Sequence, residues 1–116
     1  MGKKKQSTEQ KAKRLLEIAL DKKPDNPRMI DVRGMSPVWD YLIFLTVGSS
    51  RQGEAIASHL RKEAKGEKLG FHHVEHGGEG AWILLDFSDV AVHIFSSEKR
   101  EFYDIEKFYQ DAKDVE

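Results

Sequence analysis

Ala12, Leu15, Leu16, Ala19 and Leu20 recur at helical spacing, with Lys11, Lys13, Arg14 and Glu17 outside that set. The pattern predicts an amphipathic helix with one buried stripe. Ser7, followed three residues later by Gln10, has the spacing of a capping box at its start. Pro24 and Pro27 stop it by Lys23. Met29–Arg33 reads as a short strand ended by Gly34 and a loop through Pro37. Tyr41–Val47 is almost wholly apolar, as expected of a strand covered on both faces.

Gly48-Ser49-Ser50-Arg51-Gln52 opens a second helix running to about Lys65, with a thin stripe of Ile56, Ala57, Leu60 and Ala64. A third strand is predicted near Phe71–Glu75, before the turn His76-Gly77-Gly78-Glu79-Gly80. Residues 81–86 and 90–95 are strands separated by Phe87-Ser88-Asp89, which predicts an antiparallel hairpin. Ser97 caps a final helix or two that turn Phe102, Ile105, Phe108, Tyr109 and Ala112 inward. The order α-β-β-α-β-β-β-α predicts a single-domain α/β sandwich around a mixed five-stranded sheet. Residues 8–112 form the domain in this reading, with 1–7 a flexible basic tail and 113–116 a second tail.

The 116 residues, 39% hydrophobic and 34% charged, fit one globular domain with a heavily charged surface. With no cysteine, disulfides and thiolate metal sites are excluded. No apolar run approaches a membrane span, and MGKKKQST has no apolar segment behind its lysines. A cytoplasmic protein with no membrane partner is therefore expected. Charge is unevenly placed. Residues 1–23 carry eight Lys/Arg against three Asp/Glu, whereas residues 76–116 carry four against ten. An acidic carboxy-terminal third suits a basic protein partner and repels bare phosphate backbone, so no direct nucleic-acid specificity is expected.

The candidate chemistry is thin. Gly48-Ser49, after a buried strand and before a helix, could cradle a phosphate, but Ser49 and Gln52 also have capping-box spacing. Asp86 and Asp89 straddle a turn, and no D-x-D pair exists for two-metal chemistry. His72-His73-x-x-His76 is a surface histidine cluster or, if its side chains converge, a metal site. His93 shares a strand side with Ala91 and Phe95, as a structural residue or a general base. Trp82 shares its side with Leu84 and Asp86, as a core residue or an aromatic anchor for a protein partner.

Taken together, the motifs resemble a known family. Asp31-Val32-Arg33-Gly34-Met35-Ser36, Asp40-Tyr41 and Arg51-Gln52 are similar to the first half of the Iojap-related ribosomal silencing factors. The segment from Trp82 to Phe95 resembles that family's W-x-L-x-D-x-G-D-x-x-V-H-x-F, with Ser88 where glycine is usual. Arg100-Glu101-Phe102-Tyr103-Asp104-Ile105-Glu106 resembles its R-x-F-Y-x-L-E. The resemblance implies a nucleotidyltransferase-like topology without the catalytic acids, and hence no enzyme and no cofactor. It implies binding to ribosomal protein L14 of the large subunit, a block on subunit joining under nutrient limitation, and self-association as a possible homodimer. Trp82, Asp86, Asp89, Glu101 and Tyr103 are then the expected partner-binding residues, and Asp31, Arg33, Asp40, Tyr41, Gln52 and His93 the motif positions. The competing reading is a nucleotide-binding or nucleotidyltransferase-like enzyme that uses Gly48-Ser49 for phosphate and Asp86 with Asp89 for metal.

Overall fold

A computed structural model describes residues 7–77 and 81–115; the basic tail expected over 1–7 therefore lies outside the described residues except for Ser7. The elements are α1 (Thr8–Leu20), β1 (Asp25–Asp31), β2 (Tyr41–Thr46), α2 (Ser50–Gly66) and β3 (His73–Gly77). They continue with β4 (Trp82–Asp86), β5 (Val90–Phe95), α3 (Ser97–Tyr103), α4 (Ile105–Phe108) and β6 (Lys113–Asp114). The sheet is mixed, in the order β3-β4-β5-β2-β1-β6. β2 and β5 pair in parallel at its centre, and the other neighbours are antiparallel. Six strands replace the expected five, because Lys113 and Asp114, read from sequence as tail, pair with Asp31 and Ile30. Two polar residues carry no apolar alternation, so this edge pairing leaves no trace in the pattern.

The central strands are buried on both sides because each face has its own core. Tyr41, Ile43, Leu45, Val90, Val92 and Ile94 point to the layer of α1 and α2. Leu42, Phe44, Ala91 and Phe95 point to the other layer, where Trp39, Trp82, Leu84, Ile105, Tyr109 and Ala112 pack against them. α1 carries the expected capping box between Ser7 and Gln10. Its stripe is Ala12, Leu15, Ile18 and Ala19; Leu20, in the last turn, is exposed instead. α2 buries Gly53 with its stripe, and a Cβ there would touch Ile83 and Ile94 at 3.4 and 3.5 Å, so glycine lets this helix lie close on the sheet.

Several boundaries differ from the sequence reading for local reasons. β1 begins at Asp25, its register shifting between Asp25 and Arg28 where Asn26 adopts a left-handed φ of 47°. β3 starts at His73 because Phe71 leaves the strand path and packs edge-on against buried Phe87, centroids 5.5 Å apart. Ser96, not Ser97, caps α3 by accepting from the Lys99 N–H. Asp104 then takes a left-handed φ of 48° and restarts the helical frame. The inward stripe expected from Phe102 through Ala112 is broken there. Ile105, Tyr109 and Ala112 pack inward, whereas Phe102 is 73% and Phe108 is 82% exposed. No described helix is long and apolar enough to cross a membrane.

Candidate partner-binding face

The two faces of the sheet are covered unequally. α1 and α2, of 13 and 17 residues, cover one, whereas the helices over the other, α3 and α4, have only seven and four. That thinner cover leaves an aromatic array reaching from the core to solvent. Phe44 stacks on His93 at 5.3 Å, and His93 lies nearly parallel to Trp82, with centroids 5.9 Å apart. Trp82 meets Tyr103 of α3 at 5.0 Å, and Tyr103 meets exposed Phe102 at 5.3 Å. Beside Tyr103, Asp104, Lys107, Phe108 and Gln110 line an open cleft of about 410 Å³. On the other flank, Trp82 and Leu84 border a smaller cleft with Glu75, His76 and Gly77. Trp82 and Leu84 are both partly exposed, as the alternation predicts.

His93 is what fixes Trp82. The indole N–H donates to His93 Nδ1 at 3.2 Å, which requires that nitrogen to be an acceptor and the ring to carry its proton on Nε2. Burial pushes the imidazole pKa down to about 4, against a smaller opposing pull from the Glu106 charge, so the ring is neutral at physiological pH. Among the two sequence alternatives for His93, the geometry supplies a positioning partner for an aromatic.

Arg100 holds the two short helices in place. It donates to both carboxylate oxygens of Glu106 at 2.8 and 3.2 Å, to the Asn26 carbonyl at 2.7 Å and to Thr46 Oγ1 at 2.9 Å. Its guanidinium also sits 5.8 Å from the Phe44 ring centroid. Arg28 adds a contact to Glu106 at 2.9 Å. The hydrogen bonds from Arg100 and Arg28 hold the Glu106 carboxyl below the usual range. Sequence reasoning saw Arg100 only as part of a motif; a lone Arg in a helix carries no signal that it binds four groups.

The expected acids are dispersed. Trp82 pairs with Phe95 at one end of the hairpin, whereas Asp86 pairs with Ala91 at the other. Four residues of strand make that separation roughly 13 Å. At the tip, Asp89 accepts from Lys11 Nζ at 2.7 Å and Thr8 Oγ1 at 3.2 Å, so its charge is spent on α1. Asp86 accepts from the Ser88 N–H at 2.8 Å and faces His73 at 3.4 Å. Asp86 and Asp89 therefore bind different partners and do not converge on a common metal position. Glu101 is exposed on α3, next to Phe102 and Tyr103.

The remaining motif residues lock the far end of the sheet. Asp31 and Arg33 form a two-point ion pair at 3.0 and 2.7 Å, which lowers the Asp31 pKa. Arg33 also lies 5.2 Å from the centroid of the buried Tyr41 ring. Asp40 donates its N–H to the Asp89 carbonyl at 2.8 Å, joining this loop to the hairpin tip. Ser88 occupies that tip with φ 76°, the left-handed conformation that glycine adopts without strain.

The phosphate-cradle position is occupied by its own side chains. Ser49 Oγ accepts from the Gln52 N–H at 3.1 Å, and Gln52 Oε1 accepts from the Gly48 N–H at 2.9 Å. The adjoining cleft of about 180 Å³ is lined by Val47, Gly53, Ala81, Ile83 and Ile94 with the serines, and by no cation. Gln52 thus closes the helix start by capping.

A family model described as "Ribosomal silencing factor during starvation" matches residues 5–116. The ribosomal silencing factor of Halalkalibacterium halodurans is 32% identical over 106 residues, covering 88% of this chain and 91% of that protein. The chloroplastic protein Iojap of Zea mays is 38% identical over 104 residues, which is 88% of this chain and 44% of the maize protein. A crystal structure of a Chromobacterium violaceum protein superposes with a TM-score of 0.85 at 26% identity, covering 90% of this chain and 88% of that one. With the hairpin, its anchoring histidine and the closing helices all in place, this chain belongs to the ribosomal silencing factor family.

Proposed function

We propose that this protein binds the large ribosomal subunit through ribosomal protein L14 and blocks subunit joining, so repressing translation when nutrients are limiting. The observation that carries the reading is the aromatic face. Trp82 is held by a buried neutral histidine, flanked by Tyr103, and bordered by the exposed rings of Phe102 and Phe108. Partly exposed, pre-oriented aromatics of this kind are how binding hot spots are built. A site that holds a subunit at nanomolar concentration needs about −12 kcal/mol, within reach of a patch of roughly 800 Å² per partner.

The action is steric. A body of 47 × 32 × 23 Å cannot share an interface that closes to contact between two subunits. Trp82 and Tyr103 anchor the contact, and Glu101, exposed on the same short helix as Tyr103, supplies charge of the sign that a basic ribosomal protein attracts. Asp86 and Asp89 contribute to the long-range field of the acidic region, since their oxygens already have partners in the fold. The protein works where ribosomes assemble, in the cytoplasm, and an exposed sheet edge is where a homodimer would form. An enzymatic role for Gly48-Ser49 is disfavoured because the Gly48 N–H and the Gln52 N–H, two donors a phosphate would use, are taken by the capping hydrogen bonds.

Co-sedimentation with purified large and small subunits tests the reading. The chain should pellet with large subunits alone and lower the yield of joined ribosomes in proportion to occupancy. Equal pelleting with both subunits, or calorimetric binding of ATP with magnesium, would count against it.

A further inference from the structure

We infer that His72, His73 and Asp86 form a binding site for a divalent first-row transition metal, with zinc the natural probe. Their ligand atoms lie within 4.8 Å of one another, and among the described residues no other group of three or more His, Cys, Asp or Glu side chains is so placed. Neighbouring residues in a regular strand point to opposite faces. These two histidines nevertheless converge, their rings 4.9 Å apart, because β3 begins only at His73 and His72 is still outside the strand. The His72 N–H donates to the Asp86 carbonyl at 2.7 Å, and His73 sits directly opposite Asp86 in the ladder. The backbone thus sets all three side chains at one end of the β3–β4 pair.

The His73–Asp86 separation fits coordination directly, and His72 stands within 4.8 Å of both. His73 Nδ1 and Asp86 Oδ2 are 3.4 Å apart. Two ligand atoms each about 2.1 Å from a tetrahedral zinc are separated by about that distance. The other nitrogen of His73 lies 2.8 Å from Glu75 Oε2. With its proton on that nitrogen, donated to Glu75, His73 presents the Nδ1 lone pair toward the Asp86 carboxylate, which is the tautomer a metal between them would select. A carboxylate behind a histidine ligand is a recurrent way of fixing its tautomer and raising its basicity. Asp86 is likewise oriented, its second oxygen accepting from the Ser88 N–H at 2.8 Å. Two imidazoles and one carboxylate favour zinc, copper, nickel or cobalt over magnesium or calcium, with solvent completing the coordination. The site would clip edge strand β3 to the hairpin tip. Among the described residues, His76 and His59 each face a single carboxylate, Glu54 and Asp21, and gather no third ligand.

The test uses the full chain without an affinity tag. Zinc chloride is titrated by calorimetry at pH 7.5, and cobalt(II) by its visible absorption. One equivalent should bind, and His73→Ala and Asp86→Asn should each weaken binding at least tenfold, while His76→Ala leaves it within twofold. Zinc should also slow amide exchange in β3. Absence of stoichiometric binding, or affinity that survives both His73→Ala and Asp86→Asn, overturns the assignment. Ribosomes take no part in these readouts, so the site stands or falls separately from the silencing reading.

Discussion

Acidification should destabilise this protein through one residue, His93. Its imidazole is buried and neutral, with a pKa lowered from the ordinary 6.5 to about 4. A group of this kind binds more protons in the unfolded chain than in the folded one between those two values. The stability it contributes is therefore complete above about pH 6.5 and is lost as the pH falls toward 4. Integrating that difference from pH 7 to pH 5 gives a loss of about 2 kcal/mol. The window matters, because it stops before most carboxylates begin to titrate. Urea unfolding at both pH values measures the wild-type loss. The same pair of measurements on His93→Leu removes the contribution while the other histidines act equally in both proteins and cancel. The wild type should lose about 2 kcal/mol more than the variant. Equal losses in the two proteins would refute the buried neutral histidine and, with it, the proposed support for Trp82.

Trp82→Ala should weaken large-subunit binding by about 2 kcal/mol or more, roughly thirtyfold, measured by pelleting of a variant whose circular dichroism is unchanged; undiminished binding removes Trp82 from the contact. Arg100→Ala should lower stability by about 2 kcal/mol, seen as a drop in Tm, because it abandons Glu106, Thr46 and the Asn26 carbonyl together. Ser88→Gly should raise stability by about 0.5 kcal/mol, the strain relieved at φ 76° exceeding the added entropy of the unfolded chain. Raising salt should slow association with the large subunit if the acidic region steers it; a salt-independent on-rate would leave the acids without that part.

The apolar pattern made most of this architecture legible. Alternation in β5 placed Val92 and Ile94 on one face and His93 and Phe95 on the other, and the two separate cores follow that division. The seven-residue apolar run of β2 announced a strand buried on both sides. What the pattern missed depends on single backbone events. The left-handed turn at Asp104 restarts the helical period and exposes Phe102 and Phe108, and no residue type there announces it. β6 is two exposed residues held by backbone pairing and by the ion pair of Asp114 with Arg28 at 2.7 Å, neither of which leaves an apolar pattern. The site was half legible. Trp82 and Tyr103 do meet, but the motif's acids are separated along the strand, and only the register shows Asp86 opposite His73 rather than beside Trp82. A spacing in sequence says nothing about which charge a neighbouring helix will neutralise, as Lys11 does for Asp89.

The most direct measurement is subunit joining followed by light scattering, with large subunits first saturated by the wild-type chain or by Trp82→Ala. Occlusion predicts that joining falls in step with occupancy for the wild type and recovers with the variant at the same concentration. Full joining on large subunits that still carry the protein would contradict the account.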